Sequence, residues 1–179
     1  MTTPFDPKIH LKQSTSEVAS IKNIVSRLHR TLKRDDTVQR TTDDLRAFLQ
    51  VDRVAIYYFY KEWEGRVTFE SLSDPQFSIL GDTGPDECFN GEYAAMYASG
   101  RVSAIANIET ADIAPCHRDF LRHISVQANL VVPILPNAHL WGLLVAHHCQ
   151  GSRDWSDNDI ERIQKSATTL ANAPSIKTA

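Results

Sequence analysis

Two short stretches carry the residues that could do chemistry. In DIAPCHRDFLRHIS (112–125) a cysteine, Cys116, is joined to a histidine, His117, directly after a proline. Proline suits the first turn of a helix, so Cys116 stands near a helix N-terminus. There the unpaired amides and the helix dipole favour a thiolate and raise its nucleophilicity. Cys116, Phe120 and Ile124 follow at i, i+4 and i+8, which predicts a sulfur facing apolar surroundings. The pair could serve a metal, a nucleophile or a covalent tether, or Cys116 could be an ordinary buried core cysteine. The second stretch, DECFNGEY (86–93), sets Asp86, Cys88 and Phe89 in a loop rich in glycine and proline. A buried carboxylate at Asp86 would suit cationic N–H groups, and a thiol on a loop could reach a ligand reversibly.

Other chemistry finds less support. His147, His148 and Cys149 are consecutive on an expected strand, so their side chains diverge and at most two could converge on one ion. An adjacent Cys-His pair does not by itself supply the third group and oxyanion hole of a cysteine hydrolase. Phosphate-cradling patterns of the GxGxxG and GxxxxGK types are absent from the sequence. The acidic pairs Asp35-Asp36 and Asp43-Asp44 fit helix caps and solvated faces.

The elements that must position these residues are legible from periodicity. Residues 1–15 read as a disordered lead-in, 16–174 as one domain and 175–179 as a tail. Val18, Ile21, Val25, Leu28 and Leu32 recur at three and four, a narrow helical seam of coiled-coil type. A second helix is expected over 43–50. Two strands follow at 51–60 and 66–73, joined by a turn at 61–65. The long segment 74–91 reads as an irregular loop. A helix at 93–100 ends on a glycine, and 101–108 reads as a strand. Residues 115–125 form the helix that carries Cys116. Strands at 128–135 and 139–148 pair around a PNA turn, with Pro133 marking a bulge or an edge. Ser156 and Asp159 make a capping-box start for a last helix bearing Ile160, Ile163, Ala167 and Leu170. This order implies an α+β fold: an antiparallel sheet of about five or six strands with flanking helices.

Composition agrees with one ordinary globular domain: 179 residues, 42% hydrophobic and 23% charged. A net charge of −3 leaves no electrostatic footprint for nucleic acid. The apolar runs are too short to span a bilayer, no polybasic cluster points to a membrane surface, and no signal-peptide pattern opens the chain. A cytoplasmic location follows as an expectation. The odd count of three cysteines argues against a disulfide framework.

From about Ile21 to Leu170 the sequence resembles the GAF domains of cyanobacteriochromes, bilin-binding photoreceptors related to phytochromes. The resemblance lies in VDRVAIYYF, GRVSAIANI, ETADIAPCHRDFLRHISVQANLVVPI and LWGLLVAHHCQGSRDWSDNDIE. DECF at 86–89 is similar to the Asp-x-Cys-Phe motif of the two-cysteine subgroup. The resemblance implies a light sensor and not an enzyme. Cys116 would hold a linear tetrapyrrole through a stable thioether, with phycocyanobilin as the precursor, in some members isomerised to phycoviolobilin. Cys88 would add reversibly to the central C10 methine, dividing the conjugated system and moving absorption to the violet or blue. Rotation about the C15 double bond would expel that thiol. Asp86 would accept from pyrrole nitrogens, and His117 and Phe89 would lie against the bilin. His147 matches a position near ring D, and Tyr97 and Arg101 would meet the propionates. The terminal helices suggest a homodimer coupled to an output domain in a larger protein. Alternatives are a GAF domain for a small ligand such as a cyclic nucleotide, and a thiol redox sensor.

Overall fold

The computed structural model describes residues 7–61, 64–84 and 91–179. Helices α1 (Pro7–Lys33) and α2 (Asp36–Leu49) precede strands β1 (Arg53–Lys61) and β2 (Glu64–Leu72). After a single 3-10 turn at Pro75–Phe77 come α3 (Gly91–Ala98), β3 (Ser103–Ile105), α4 (Pro115–His123) and β4 (Ala128–Ile134). Strand β5 (Gly142–His148) and helices α5 (Asp157–Ala171) and α6 (Pro174–Lys177) complete the chain. The five strands form one antiparallel sheet in the order β2-β1-β5-β4-β3. The α+β architecture is therefore the one expected.

Strand alternation divides the sheet into two unlike faces. Val54 and Ile56 of β1, Leu144 and Ala146 of β5, and Leu130, Val132 and Ile134 of β4 meet the layer of α1, α2 and α5. Leu32, Leu45, Leu49, Ile163 and Leu170 close that core from the helical side. Each such fully buried aliphatic side chain contributes about 1.5–3 kcal/mol. Asp35 caps α2 by accepting from the amides of Thr37 (2.9 Å) and Val38 (3.4 Å), and its other oxygen accepts from the Ser175 amide on α6 (3.0 Å). At the head of α5 the Ser156 hydroxyl accepts from the Asp159 amide and Asp159 accepts from the Ser156 amide, the reciprocal pair expected there.

The seam along α1 splits in two. Leu28 and Leu32 are buried in the helical core, Ile21 and Val25 are half-buried and Val18 is 59% exposed; Ile24, outside the seam, is 44% exposed. Among the described side chains of α1, the buried ones lie in its last turns.

Local signals also explain how the second face is furnished. Gly100, at φ +91°, ends α3. Its amide bonds Tyr97 O (2.9 Å), and the Arg101 amide bonds Met96 O (3.0 Å), a left-handed cap that turns Arg101 back over α3. Strand β3 is shorter than expected because the chain turns at Asn107, whose side-chain oxygen accepts from the Glu109 amide (2.9 Å). Pro133 lies past Val131, the last β4 residue paired with β3, so it has a strand neighbour on one side only. Its missing N–H is tolerated there. Ser125, at φ +61°, ends α4, with the Val126 amide bonded to Leu121 O (2.9 Å).

Candidate functional site

The second sheet face, α3, α4 and the segment at 82–84 enclose a cavity of about 570 Å³. That size falls in the range of small-molecule and cofactor sites, roughly 300–1,000 Å³. The sheet supplies Tyr57 and Phe59 from β1, Asn129 and Val131 from β4, and Leu143, Val145 and His147 from β5. These are the residues left facing away from the helical core by period two. Helix α4 adds His117, Phe120 and Leu121, and α3 adds Tyr93 and Tyr97.

The cavity brings together four of the site residues expected from sequence: His117, His147, Tyr97 and Arg101. Burial lowers the His117 pKa, and the Arg101 cation lowers it further. The His117 imidazole is therefore neutral at pH 7. Burial raises the Tyr97 phenol, while Arg101 and a hydrogen bond with Ser103 oppose that rise. The Arg101 guanidinium lies 5.3 Å from the Tyr93 ring centroid and 5.6 Å from that of Tyr97, so a cation is stacked at the cavity wall. Asp86, Cys88 and Phe89 lie outside the described residues.

Cys116 differs from its sequence-based reading in two ways. Its neighbours Pro115 and His117 line the cavity, but Cys116 itself is exposed, so the first turn of α4 forms the rim. The apolar face foreseen for it begins lower on the helix, with Phe120 half-buried and Leu121 and Ile124 buried. Cys116 is also disulfide-bonded, against the expectation drawn from the odd cysteine count, while Cys149 is free. Ala114 caps α4 without a side-chain hydrogen bond.

His147 is buried and its environment is unusual. Its Nδ1 receives Arg53 Nε at 3.0 Å. Burial first, then the Arg53 cation and His117, hold the His147 pKa well below the ordinary histidine range. The adjacent His148 points elsewhere, its Nδ1 lying 2.8 Å from Gly151 O. Among the described residues no group of three or more His, Cys, Asp or Glu side chains could hold a metal ion. The strand alternation that separates His147, His148 and Cys149 is the reason at that position.

Three residues of the site escaped the sequence reading: Asn129 and Tyr57 line the cavity, and Arg53 contacts the lining residue His147. Arg53 and Asn129 sit in strands whose other residues are mostly apolar, and an isolated polar residue there was the available signal. Tyr57 lies close against two glycines: a Cβ at Gly65 would approach its ring to 2.4 Å and one at Gly84 would approach its hydroxyl to 2.7 Å. The Tyr57 hydroxyl accepts from the Gly84 amide (3.0 Å), fixing the segment that precedes residue 85 onto the sheet.

The fold and the cavity agree with the comparisons to known proteins. The model of the GAF domain family matches residues 33–173. The chain is a GAF domain. It is 51% identical over 152 residues to an uncharacterized protein of Picosynechococcus sp., covering 85% of this chain and 93% of that one. It is 35% identical over 149 residues to a putative methyl-accepting chemotaxis protein of Synechocystis sp., covering 83% of this chain but only 15% of that protein. This GAF domain also superimposes on the blue-light absorbing form of the PixJ GAF domain of Thermosynechococcus elongatus, with a TM-score of 0.68 and 32% identity over 74% of this chain and 82% of that one. A phycocyanobilin-bound GAF domain from a cyanobacterial phytochrome gives a TM-score of 0.68 at 25% identity, over 98% of this chain and 97% of that one. These neighbours are cyanobacteriochrome and phytochrome GAF domains, sensors rather than enzymes, and some relatives are larger signalling proteins. Among the described residues no helix is long and apolar enough to cross a membrane.

Proposed function

We propose that this GAF domain is a cytoplasmic light sensor that binds a linear tetrapyrrole covalently through Cys116. One observation carries the reading: an apolar cavity of cofactor size has the Cys-His turn of α4 as its rim. The donor set fits such a ligand. Neutral imidazoles at His117 and His147 can hydrogen-bond ring nitrogens and carbonyls, and Arg101 can meet a propionate. The bilin, when bound, supplies visible absorption and photoisomerisation about its C15 double bond.

The protein's own residues do the rest. Cys116 forms the stable thioether, which requires its thiol form and therefore reduction of the disulfide. His117 packs against the ligand, and Tyr97 holds Arg101 in place by stacking. Asp86 accepts from pyrrole N–H groups, Phe89 packs beside them, and Cys88 supplies the reversible second bond at C10. Phycocyanobilin, or phycoviolobilin formed from it, is the chromophore. The exposed face of α1 around Val18 and Ile24 serves as the path to an output domain, through a homodimer of terminal helices. A second reading, a thiol redox sensor, is favoured by the disulfide at Cys116.

The test is an absorption spectrum of reduced protein made in cells that produce phycocyanobilin, taken before and after violet, green and red light. Reversible bands are expected, with loss of stable attachment in Cys116→Ala and loss of the short-wavelength state in Cys88→Ala. A colourless protein that responds to peroxide would instead establish the redox sensor.

A further inference from the structure

We propose that a cleft on the helical layer, walled by the end of α1 and by α6, binds a diphosphate group. Arg27, Arg30 and Arg34 supply the charge, and the buried hydroxyl of Ser175 supplies a directed donor. The cleft lies across the sheet from the cavity described above and shares no residue with it.

Charge is already uneven along the chain. Residues 18–34 hold Lys22, Arg27, Arg30, Lys33 and Arg34 and no acidic residue, in a protein of net charge −3. Helical spacing then sorts these cations. Positions 27, 30 and 34 follow at three and four, so they share one side of α1 and of the turn that continues it. That side is turned away from the buried Leu28 and Leu32, and all three arginines are exposed. Helix α6 closes the cleft from the other direction. Its Ser175 amide donates to Asp35 at 3.0 Å, which pins α6 against the turn between α1 and α2. The space between them is about 700 Å³, and Lys22 and Lys33 do not line it.

The donors select an oxyanion. Every cation lining the cleft is an arginine, whose planar fork binds phosphate or carboxylate oxygens through paired hydrogen bonds. No ion pair among the described residues includes Arg27, Arg30 or Arg34. Ser175 is 7% exposed, and its Oγ stands beside Asp35 without a hydrogen bond of good geometry. Buried hydroxyls are normally paired, so a donor at the cleft wall calls for an acceptor.

Size and lining narrow the class further. From residue 27 to residue 34 the helix rises about 10 Å, too far for one phosphate to meet every fork. Two linked phosphoryl groups offer separate oxygens to separate guanidinium groups. A peptide helix would need apolar anchors, and Pro174 is the one apolar side chain among the described residues that line the cleft. Two carboxylates oppose the three cations. Asp35 has both oxygens occupied, one by the amides of Thr37 and Val38 and the other by that of Ser175. Asp36 is exposed at the head of α2 and weakens the field of the arginines. The balance stays positive.

Calorimetric titration of the protein with sodium pyrophosphate at constant ionic strength tests this. Saturable binding at one site is expected, with orthophosphate at least about tenfold weaker. Arg27→Gln combined with Arg34→Gln should weaken pyrophosphate binding at least about tenfold, and Ser175→Ala at least about threefold. Both arginines are exposed, so the double variant should melt like the parent. Asp36→Asn should tighten binding, and Arg101→Gln, at the cavity wall, should leave it unchanged. ADP separates the sources of the group. Affinity at or below that of pyrophosphate assigns the inorganic anion, and tighter affinity assigns a nucleoside diphosphate. Absence of saturable binding, equal binding of orthophosphate, or a loss in Arg101→Gln but not in the cleft variants overturns the proposal.

Discussion

Acid should destabilise this domain through His147. The ring is buried beside the Arg53 cation and faces His117, so the folded-state pKa lies well below that of the unfolded chain. The sign follows from linkage. Below the unfolded pKa, about 6.5, the unfolded chain takes up a proton that the native ring refuses, so stability is complete above that value and falls with pH. For one histidine that stays neutral when folded, lowering the pH from about 7.5 to about 5.5 removes about 1.4 kcal/mol. His117, lowered by burial and then by Arg101, contributes a smaller loss of the same sign. Urea denaturation at closely spaced pH values, with the slope of unfolding free energy on urea held constant, measures the loss. The control is His147→Gln, whose carbonyl can still accept from Arg53 but does not titrate; its loss over the same interval should be smaller by about 1.4 kcal/mol. Stability that stays level over this range, or an equal loss in both proteins, refutes a His147 ring that stays neutral in the fold.

Other expectations are local. In Gly142→Ala the new Cβ would fall 2.2 Å from the backbone oxygen of Tyr57, at the β1–β5 pairing, and should cost more than about 2 kcal/mol in denaturant melts. Gly151→Ala, with open space around the new carbon, should stay within about 0.5 kcal/mol of the parent. Ser156→Ala removes half of the capping box at α5 and should cost about 1 kcal/mol, read in the same melts. Replacing Val18 and Ile24 together by Glu should leave stability nearly unchanged, since both are exposed, but should abolish any self-association seen by sedimentation.

Contacts between near neighbours are readable along the chain. The alternation of β1, β4 and β5, the capping box at Ser156, the glycine stop of α3 and the proline at the head of α4 depend on neighbours a few residues apart, and all four are present. Tertiary structure decided where those elements meet. Arg53 and His147 are 94 positions apart, joined only by the β1–β5 register, and Asn129 reaches them through β4. Periodicity within one strand says which residues share a face, but not which strand lies alongside or at what register. The placement of Cys116 has the same origin. Helical spacing put it in line with Phe120 and Ile124, yet the sheet sits against the lower turns of α4 and leaves the first turn at the rim, where a sulfur can be reached.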